Sequence, residues 1–293
     1  MKGLFTGLGT AVVTPFLKGK VDFGAFAALI RRQMKAGADA LVVAATTGEG
    51  PTLSEEEKEE VIISAKEISK GKIPVIAGAG SNDTRTAVSC ARNMEKAGAD
   101  ALLCVTPYYN LCSQEGLRAH FTAIADNVGI PVILYNVPFR TGVSIEAETA
   151  CELFKHPRIR AIKEAASDFS KAAKMLFSAQ GAYVYSGNDN MLLSEMALGA
   201  SGGISVVSNI APGIARKLTS LALKNDFAGA LACHNELMPL LEIMKGGVNP
   251  VPVKAVLSVM GYIENETRLP LTPFGREELK KIEAFLNRSA KYV

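Results

Sequence analysis

Lys35-Ala-Gly-Ala-Asp-Ala-Leu41 occurs a second time, residue for residue, as Lys96-Ala-Gly-Ala-Asp-Ala-Leu102. In each copy a glycine, Gly37 or Gly98, stands where an amphipathic helical pattern stops. A helix commonly ends at a residue in the left-handed conformation, which glycine adopts without strain. A looser third copy, Leu198-Gly-Ala-Ser-Gly-Gly-Ile204, precedes the last apolar run. The repetition predicts one helix-to-strand turn used several times along the chain.

Apolar, β-branched runs follow these turns and alternate with helical patterns. The runs are continuous rather than alternating, which is typical of parallel strands buried on both faces. The predicted strands are Gly7–Val13, Ala40–Ala45, Pro74–Gly80, Ala101–Val105, Pro131–Asn136, Ile159–Glu164, Ala182–Gly187 and Gly202–Val206. Such an alternation favours a (β/α)8 TIM barrel. An open doubly wound sheet stays the alternative, although no Gly-x-Gly-x-x-Gly follows the first strand.

Helical patterns lie between the strands and continue after the last of them. The patterns before the eighth strand are Phe23–Lys35, Ser54–Ser69, Asp83–Ala97, Gln114–Asn127, Ile145–Phe154, Phe169–Ser178 and Asn190–Leu198, and those after it are Pro212–Lys224, Phe227–Lys245, Pro252–Gly261 and Phe274–Ala290. A barrel needs only one helix after its eighth strand. We therefore expect a barrel over residues 1–224 and a C-terminal helical region over 225–293 that serves as a packing surface rather than as part of the site.

The composition excludes several classes of function. The 293 residues carry 32 basic and 29 acidic side chains, a net charge of +3, which argues against nucleic-acid or membrane partners. The five cysteines form no Cys-x-x-Cys motif and the three histidines lie far apart, so the sequence shows no zinc site. Without a signal peptide or a run of about 18 apolar residues, the sequence predicts a cytoplasmic protein.

Lys163 is the unusual residue in this pattern, because it lies in a strand that is expected to be buried. Burial of a lysine is costly, and it favours the neutral amine. A neutral amine attacks a carbonyl carbon to form an imine. The other interpretation is structural, with Lys163 capping a carbonyl or pairing with Glu164.

Hydroxyl groups follow the neighbouring strands, where barrel enzymes place their reactive groups. Tyr135 ends the fifth strand, next to the strand of Lys163, and Thr46 and Tyr109 follow the second and fourth strands. Imine chemistry needs groups that move protons, and a tyrosine in contact with other hydroxyls can do so. A packing aromatic is the alternative for Tyr135.

Two further features suit a carboxylate. The Thr46-Thr47-Gly48 segment is either a polar turn or one whose amides and hydroxyls hold an anion. Arg140 follows Pro138 in a predicted loop over the barrel mouth, where it is either a solvated surface group or a bidentate carboxylate ligand.

Five motifs, in this order over about Gly7 to Thr272, resemble the synthase branch of the dihydrodipicolinate synthase and N-acetylneuraminate lyase family. They are Thr46-Thr47-Gly48-Glu49, Pro107-Tyr-Tyr-Asn110, Tyr135-Asn-Val-Pro138 with Arg140-Thr141-Gly142, Ile162-Lys-Glu-Ala165 and Asn249-Pro-Val-Pro-Val-Lys254. The resemblance implies a barrel that condenses pyruvate with L-aspartate 4-semialdehyde in lysine and diaminopimelate biosynthesis. It implies no metal or organic cofactor.

The resemblance also assigns expected roles. Lys163 would form the imine with pyruvate, and Tyr135 would move protons with Thr46 and with Tyr109 from a neighbouring subunit of a homotetramer, a dimer of dimers. Thr47, with the backbone at Gly187 and Ile204, would line the pyruvate pocket. Arg140 would bind the carboxylate of the second substrate.

Some positions differ from the family pattern. Ala45 precedes the threonines where glycine is frequent, and Phe139 is bulky where a small or polar residue is expected. Lysine-inhibited relatives often carry two histidines and a glutamate where this chain has Glu55, Lys58 and Thr86. A cation at Lys58 would repel an effector ammonium, so we expect weak lysine inhibition or none.

Two other functions fit parts of the pattern. The first is a family aldolase acting on another aldehyde, such as that of a keto-deoxy sugar acid, and Arg140 argues against it. The second is a barrel that only binds, which would be expected to lack Lys163, Tyr135 or Thr46; all three are present.

Overall fold

The computed structural model describes residues 3–179, 181–289 and 292. Eight parallel strands close into a barrel in which each strand pairs with its sequence neighbours and β1 pairs with β8. The strands are β1 Gly7–Ala11, β2 Ala40–Val43, β3 Val75–Gly78, β4 Ala101–Val105, β5 Val132–Asn136, β6 Ile159–Glu164, β7 Tyr183–Ser186 and β8 Gly202–Ser205. The predicted TIM barrel is confirmed, and the open doubly wound sheet is excluded.

The predicted helices are present, with ends shifted by a few residues. They are α1 Phe23–Lys35, α2 Glu55–Ser69, α3 Thr84–Lys96, α4 Gln114–Asp126, α5 Ala147–Leu153, α6 Phe169–Ser178, α7 Leu192–Ala197, α8 Pro212–Ala222, α9 Phe227–Met244, α10 Val251–Val259 and α11 Arg276–Asn287. The predicted last helix reached Ala290, which lies outside the described residues. None of the helices in the described ranges is long and apolar enough to cross a membrane.

Several short elements of the described ranges were not predicted. Phe16–Leu17 and Lys20–Val21 form a small antiparallel hairpin after β1. Pro138–Thr141, which was expected to be a loop, is a one-turn helix with proline at its start and Gly142 in the left-handed conformation after its end. Proline is favoured at the first helical position, and glycine just beyond the last, so the segment carries both signals in only four residues.

The repeated turn forms as predicted, with positive φ angles of 83° at Gly37 and 99° at Gly98. The structure adds a role for the aspartate in each copy. Asp39 accepts a hydrogen bond from the backbone N–H of Leu8, and Asp100 accepts one from Val75, each at 2.8 Å. Each aspartate therefore ties the strand that it precedes to the neighbouring strand of the barrel.

The amino-terminal end of the barrel is filled from inside. Phe5 stacks on Tyr185 with their ring centroids 4.4 Å apart, and the Tyr185 hydroxyl donates to the Phe5 carbonyl at 2.8 Å. Burial raises the pKa of that phenol. Because this end is closed by packing, the free space lies at the carboxyl ends of the strands.

The C-terminal helices pack on the barrel rather than apart from it. Leu8 of β1 and Leu29 of α1 share one apolar cluster with Leu237, Leu240 and Val256 of the C-terminal helices. The boundary drawn between residues 224 and 225 falls in the connection between α8 and α9. The division into two units stays a prediction.

Candidate active site

The inward direction of Lys163 depends on an irregularity in β6. The pairing of β5 with β6 shifts by one residue at Arg160, so that Ile133 faces Ala161 and Tyr135 faces Lys163. Side chains alternate along a strand, and a one-residue slip reverses the face of each. The shift therefore places Lys163 on the same side as Tyr135, in the barrel interior.

Lys163 and Tyr135 meet near the carboxyl ends of their strands. The ammonium nitrogen Nζ lies 4.4 Å from the centroid of the Tyr135 ring, and Lys163 is only 5% exposed. Glu164 points to the other face of the sheet, where its carboxylate accepts hydrogen bonds from the Asn136 amide at 2.9 Å and from the Ala166 N–H at 2.7 Å. The alternative in which Lys163 pairs with Glu164 is therefore wrong.

A cavity of about 800 Å³ opens above these two residues. Its wall contains five of the residues that the sequence singled out: Thr47, Tyr135, Arg140, Lys163 and Gly187. Tyr135 and Lys163 lie in β5 and β6, and the other three lie in the segments that follow β2, β5 and β7, as expected for the mouth of a barrel. The cavity therefore brings together the Lys163 amine, the hydroxyl-bearing side chains of Thr47 and Tyr135, and the Arg140 cation.

Gly187 leaves room for the lysine side chain. A Cβ at this position would lie 2.8 Å from the Glu164 carbonyl oxygen and 3.0 Å from Cε of Lys163. The Gly187 N–H also donates to that carbonyl at 2.6 Å. A side chain here would collide with backbone, so the end of β7 can approach β6 closely only with glycine.

Thr47 is held by a residue from the far end of the chain. It is buried, and its hydroxyl oxygen accepts a hydrogen bond from the Asn249 side-chain amide at 3.0 Å. With its oxygen already accepting, the hydroxyl hydrogen of Thr47 is available to donate into the cavity.

Thr46 lies on the other side of Tyr135. It lines a second, smaller cavity of about 260 Å³ together with Tyr108 and Tyr135. Tyr135 lines both cavities. Thr46 and Tyr135 thus share a space, as a proton relay between them requires.

Besides Thr46, two predicted site residues, Tyr109 and Ile204, do not line the large cavity within one chain. Tyr109 is 90% exposed and points to solvent from a backbone with φ of 76°. Ile204 is buried in the barrel interior, and Val206 is the residue near the end of β8 that lines the cavity. The roles assigned to these two residues stay predictions.

Sequence reasoning underestimated the C-terminal region. We expected a packing surface, but part of it walls the large cavity: Leu241, Met244, Lys245, Gly247, Val248, Asn249 and Pro252. The motif that begins at Asn249 signalled this region, but its contact with Thr47 spans 202 positions and has no local pattern.

Asp189, which follows the end of β7, was not predicted to have a role in the site. It lines the cavity, and its carboxylate accepts the backbone N–H groups of Val206 and Val207 at 2.9 Å each. Burial raises the pKa of this carboxyl. Its position at a strand end was the signal that pointed to it, and its structural effect is to fix the end of β8 beside the cavity.

Buried carboxyls lie behind the sheet at the same level. Burial raises the pKa of Glu164. Burial also raises the pKa of Glu195, to about 7; the nearby Glu164 adds to this rise and a hydrogen bond from Ser186 opposes it.

No group of three histidine, cysteine, aspartate or glutamate side chains suited to a metal ion occurs among residues 3–179, 181–289 and 292.

A closed parallel barrel with a buried amine beside a phenol at its mouth defines a class of protein: a barrel enzyme equipped for carbonyl chemistry through an imine. The model of the Dihydrodipicolinate synthetase family matches residues 4–289. The chain belongs to this family, as the five motifs indicated.

The sequence and the structure of this chain are similar to those of known synthases along almost the whole chain. The 4-hydroxy-tetrahydrodipicolinate synthase of Fervidobacterium nodosum is 44% identical over 97% of this chain and 98% of its own. The dihydrodipicolinate synthase of Thermotoga maritima superposes with a TM-score of 0.95 at 39% identity, over 98% of this chain and 99% of its own. The chloride-inhibited synthase of Acinetobacter baumannii, solved in complex with pyruvate, superposes with a TM-score of 0.96 at 39% identity, over 99% and 100%.

Proposed function

We propose that Lys163 carries the reaction of this chain, the condensation of pyruvate with L-aspartate 4-semialdehyde to 4-hydroxy-tetrahydrodipicolinate, a lyase step of lysine and diaminopimelate biosynthesis. The observation that carries the proposal is the buried Lys163 amine, 4.4 Å from the Tyr135 ring at the floor of a cavity also lined by Thr47 and Arg140. The pyruvate complex of the similar Acinetobacter baumannii enzyme supports pyruvate as the first substrate.

The first half of the reaction binds pyruvate covalently. The Thr47 hydroxyl donates to the pyruvate carboxylate, while Nζ of Lys163 attacks the keto carbon. Tyr135 delivers a proton to the carbinolamine oxygen, water leaves, and a C=N bond replaces the C=O bond. In the formation of the carbinolamine, the proton that Nζ loses reaches the oxygen through Tyr135 and Thr46, in the space that these two residues share.

The second half forms the carbon–carbon bond. Tyr135, deprotonated after the loss of water, takes a proton from the pyruvate methyl group and an enamine forms. The enamine carbon attacks the aldehyde carbon of the second substrate, and Tyr135 returns the proton to the aldehyde oxygen. The amino group of that substrate then attacks the imine carbon and displaces Lys163. Cyclisation therefore returns the lysine to its free form without a separate hydrolysis step.

The test is reductive trapping. Pyruvate with borohydride is expected to attach to Lys163, and to no other residue, as located by peptide mass spectrometry. An adduct on a different lysine, or none, would overturn the proposal. Turnover of aspartate semialdehyde should also exceed turnover of N-acetylmannosamine and of glyceraldehyde; the reverse order would favour a sugar-acid aldolase.

Arg140 is the proposed ligand for the carboxylate of the second substrate. Its guanidinium lies 5.4 Å from the centroid of the neighbouring Phe139 ring, and both side chains line the large cavity. The aromatic face therefore braces the cation at the entrance. We therefore propose that the Phe139 ring helps to hold the Arg140 guanidinium in position.

Arg140→Ala is expected to raise the KM for aspartate semialdehyde by about tenfold or more, because a charge-assisted bidentate contact is lost. The pyruvate adduct should still form at its normal rate. Steady-state kinetics with each substrate varied, together with adduct formation, check both parts. A slower adduct would contradict the role of Arg140, and Phe139→Ser serves to separate the effect of the ring from that of the charge.

We also propose a cytoplasmic homotetramer, a dimer of dimers. Tyr109 and Leu111 are exposed beside Tyr108, in a segment with two left-handed residues that extends from the barrel mouth. A partner subunit that covers this segment would bury Tyr109 and receive its hydroxyl.

The proposed cytoplasmic location is supported by the cysteines. All five are free thiols, which suits a reducing compartment.

Lysine is expected to inhibit weakly or not at all. Lys58 and Glu55 line the smaller cavity with Thr86, and they pair with each other at 2.7 Å. An effector ammonium would meet the Lys58 cation and a carboxylate that is already engaged. A lysine titration at saturating substrates checks this, and half-inhibition well below millimolar lysine would contradict it.

A further inference from the structure

A fully buried ion pair joins the threonine turn to the C-terminal region. The ammonium of Lys254 contacts Oε1 of Glu49 at 2.6 Å, and the two side chains are 0% and 1% exposed. Glu49 directly follows the Thr46-Thr47-Gly48 segment, and Lys254 lies in α10. The mechanism described above uses neither residue.

The turn that Glu49 ends is strained and closely packed. Ala44 and Glu49, on either side of the threonines, have positive φ angles of 51° and 53° although neither is glycine. Such conformations persist only where surrounding contacts impose them. Thr14 supplies one such contact, since its hydroxyl donates to the Gly48 carbonyl at 2.7 Å.

The carboxylate of Glu49 receives its contacts from the C-terminal region. Besides Lys254, its second oxygen accepts the backbone N–H of Arg268 at 2.9 Å. Five residues before Lys254, Asn249 donates to the Thr47 hydroxyl. One short stretch of the C-terminal region therefore holds both the end of the turn and the threonine that faces the cavity.

A buried ion pair contributes little net free energy to the stability of a fold. Removing two charges from water costs about as much as their attraction returns, and well-packed apolar groups often serve equally well. What such a pair supplies is a defined geometry, because each charge must find the other. In this chain the geometry that it defines is that of the threonine turn.

We propose that Glu49 and Lys254 are positioning residues for pyruvate, whose buried ion pair holds the threonine turn so that Thr47 is presented to the substrate carboxylate. The inference rests on the proposed role of Thr47. The same pair also makes the C-terminal region part of the binding apparatus, since α10 sets the position of a residue in the loop after β2.

The test uses neutral replacements of one or both partners. Lys254→Met and Glu49→Gln each leave one partner without its opposite charge, and the double variant leaves no charge buried alone. The double variant is expected to keep a thermal midpoint close to that of the unchanged protein. Its KM for pyruvate should nevertheless rise by about tenfold or more, because a small displacement of a binding group is costly.

The KM for the aldehyde separates positioning from general damage. It should change by less than about twofold in the double variant, since Arg140 lies on a different strand end. Lys66→Met is the matched control, because it removes the 2.7 Å pair with Asp100 at the opposite end of the barrel. This control should leave the KM for pyruvate unchanged.

The outcomes are distinguishable. A pyruvate KM within about twofold of normal in the double variant would overturn the positioning role. The positioning role would also be overturned if the double variant, compared with the single variants, regained both its thermal midpoint and its KM for pyruvate. That result would mean that the ion pair acts only on stability. If Lys254→Met fails to fold, Glu49→Gln and the double variant still decide. If the unchanged protein forms no pyruvate adduct, the proposed function itself fails, whatever the variants do.

Discussion

Replacing Lys163 by methionine is expected to lower kcat by at least about 10³-fold and to remove the pyruvate adduct, because the variant has no amine to form the covalent intermediate. Methionine has a similar length and no charge, and Lys163 is 5% exposed. The thermal midpoint is therefore expected to stay the same or to rise, since a buried amine is exchanged for an apolar group. Activity should therefore fall without a loss of stability.

Lys245 provides the matched control for this experiment. It also lines the cavity, but its ammonium pairs with Glu242 at 2.6 Å and its side chain is largely exposed. Lys245→Met should keep the adduct and most of the activity. An adduct that disappears in Lys245→Met and persists in Lys163→Met would exchange the roles of the two lysines and contradict the mechanism.

Replacing Tyr135 by phenylalanine should reduce kcat by about 10²-fold to 10³-fold, the usual contribution of one positioned acid–base group. The ring remains beside Lys163, so packing around the amine is retained while only the hydroxyl is lost. Imine formation should slow in proportion, which single-turnover trapping with borohydride measures directly. A normal trapping rate would show that Tyr135 is a packing aromatic.

Tyr185 is the control phenol, because it lies in the same barrel interior but at the closed end. Its hydroxyl accepts the Phe5 N–H at 3.1 Å and donates to the Phe5 carbonyl at 2.8 Å. Tyr185→Phe should therefore cost about 1–3 kcal/mol of stability, since two buried backbone groups lose their partner. Its trapping rate should remain close to normal, the reverse of the pattern for Tyr135→Phe.

Local patterns predicted most of the barrel. The repeated turn at Gly37 and Gly98 marks where helices end, and continuous apolar runs mark buried parallel strands, so both could be read from short windows of sequence. The one-turn helix at Pro138–Thr141 was not predicted, because four residues are too few to show a helical period. Its proline and glycine were the only local signals.

The site was predictable where strand ends meet and unpredictable where distant segments meet. Lys163 and Tyr135 were expected together because their strands are neighbours. The inward direction of Lys163, however, depends on the pairing shift at Arg160, which is a property of two strands rather than of one. The contacts of Asn249 with Thr47 and of Lys254 with Glu49 depend on tertiary packing, and no window of sequence contains both partners.

The distance along the chain between these partners has a consequence for how the protein is made. Thr47 and Asn249 are 202 positions apart, and Glu49 and Lys254 are 205 apart. While the chain is being synthesised, the threonine turn emerges from the ribosome long before the segment that holds it. Domains fold from the amino-terminal end as they appear, but this cavity acquires its last wall only when about five sixths of the chain exists. A prematurely terminated product would thus contain Lys163 and all eight strands and still lack an ordered place for pyruvate, so incomplete chains would not carry out the chemistry of the finished enzyme.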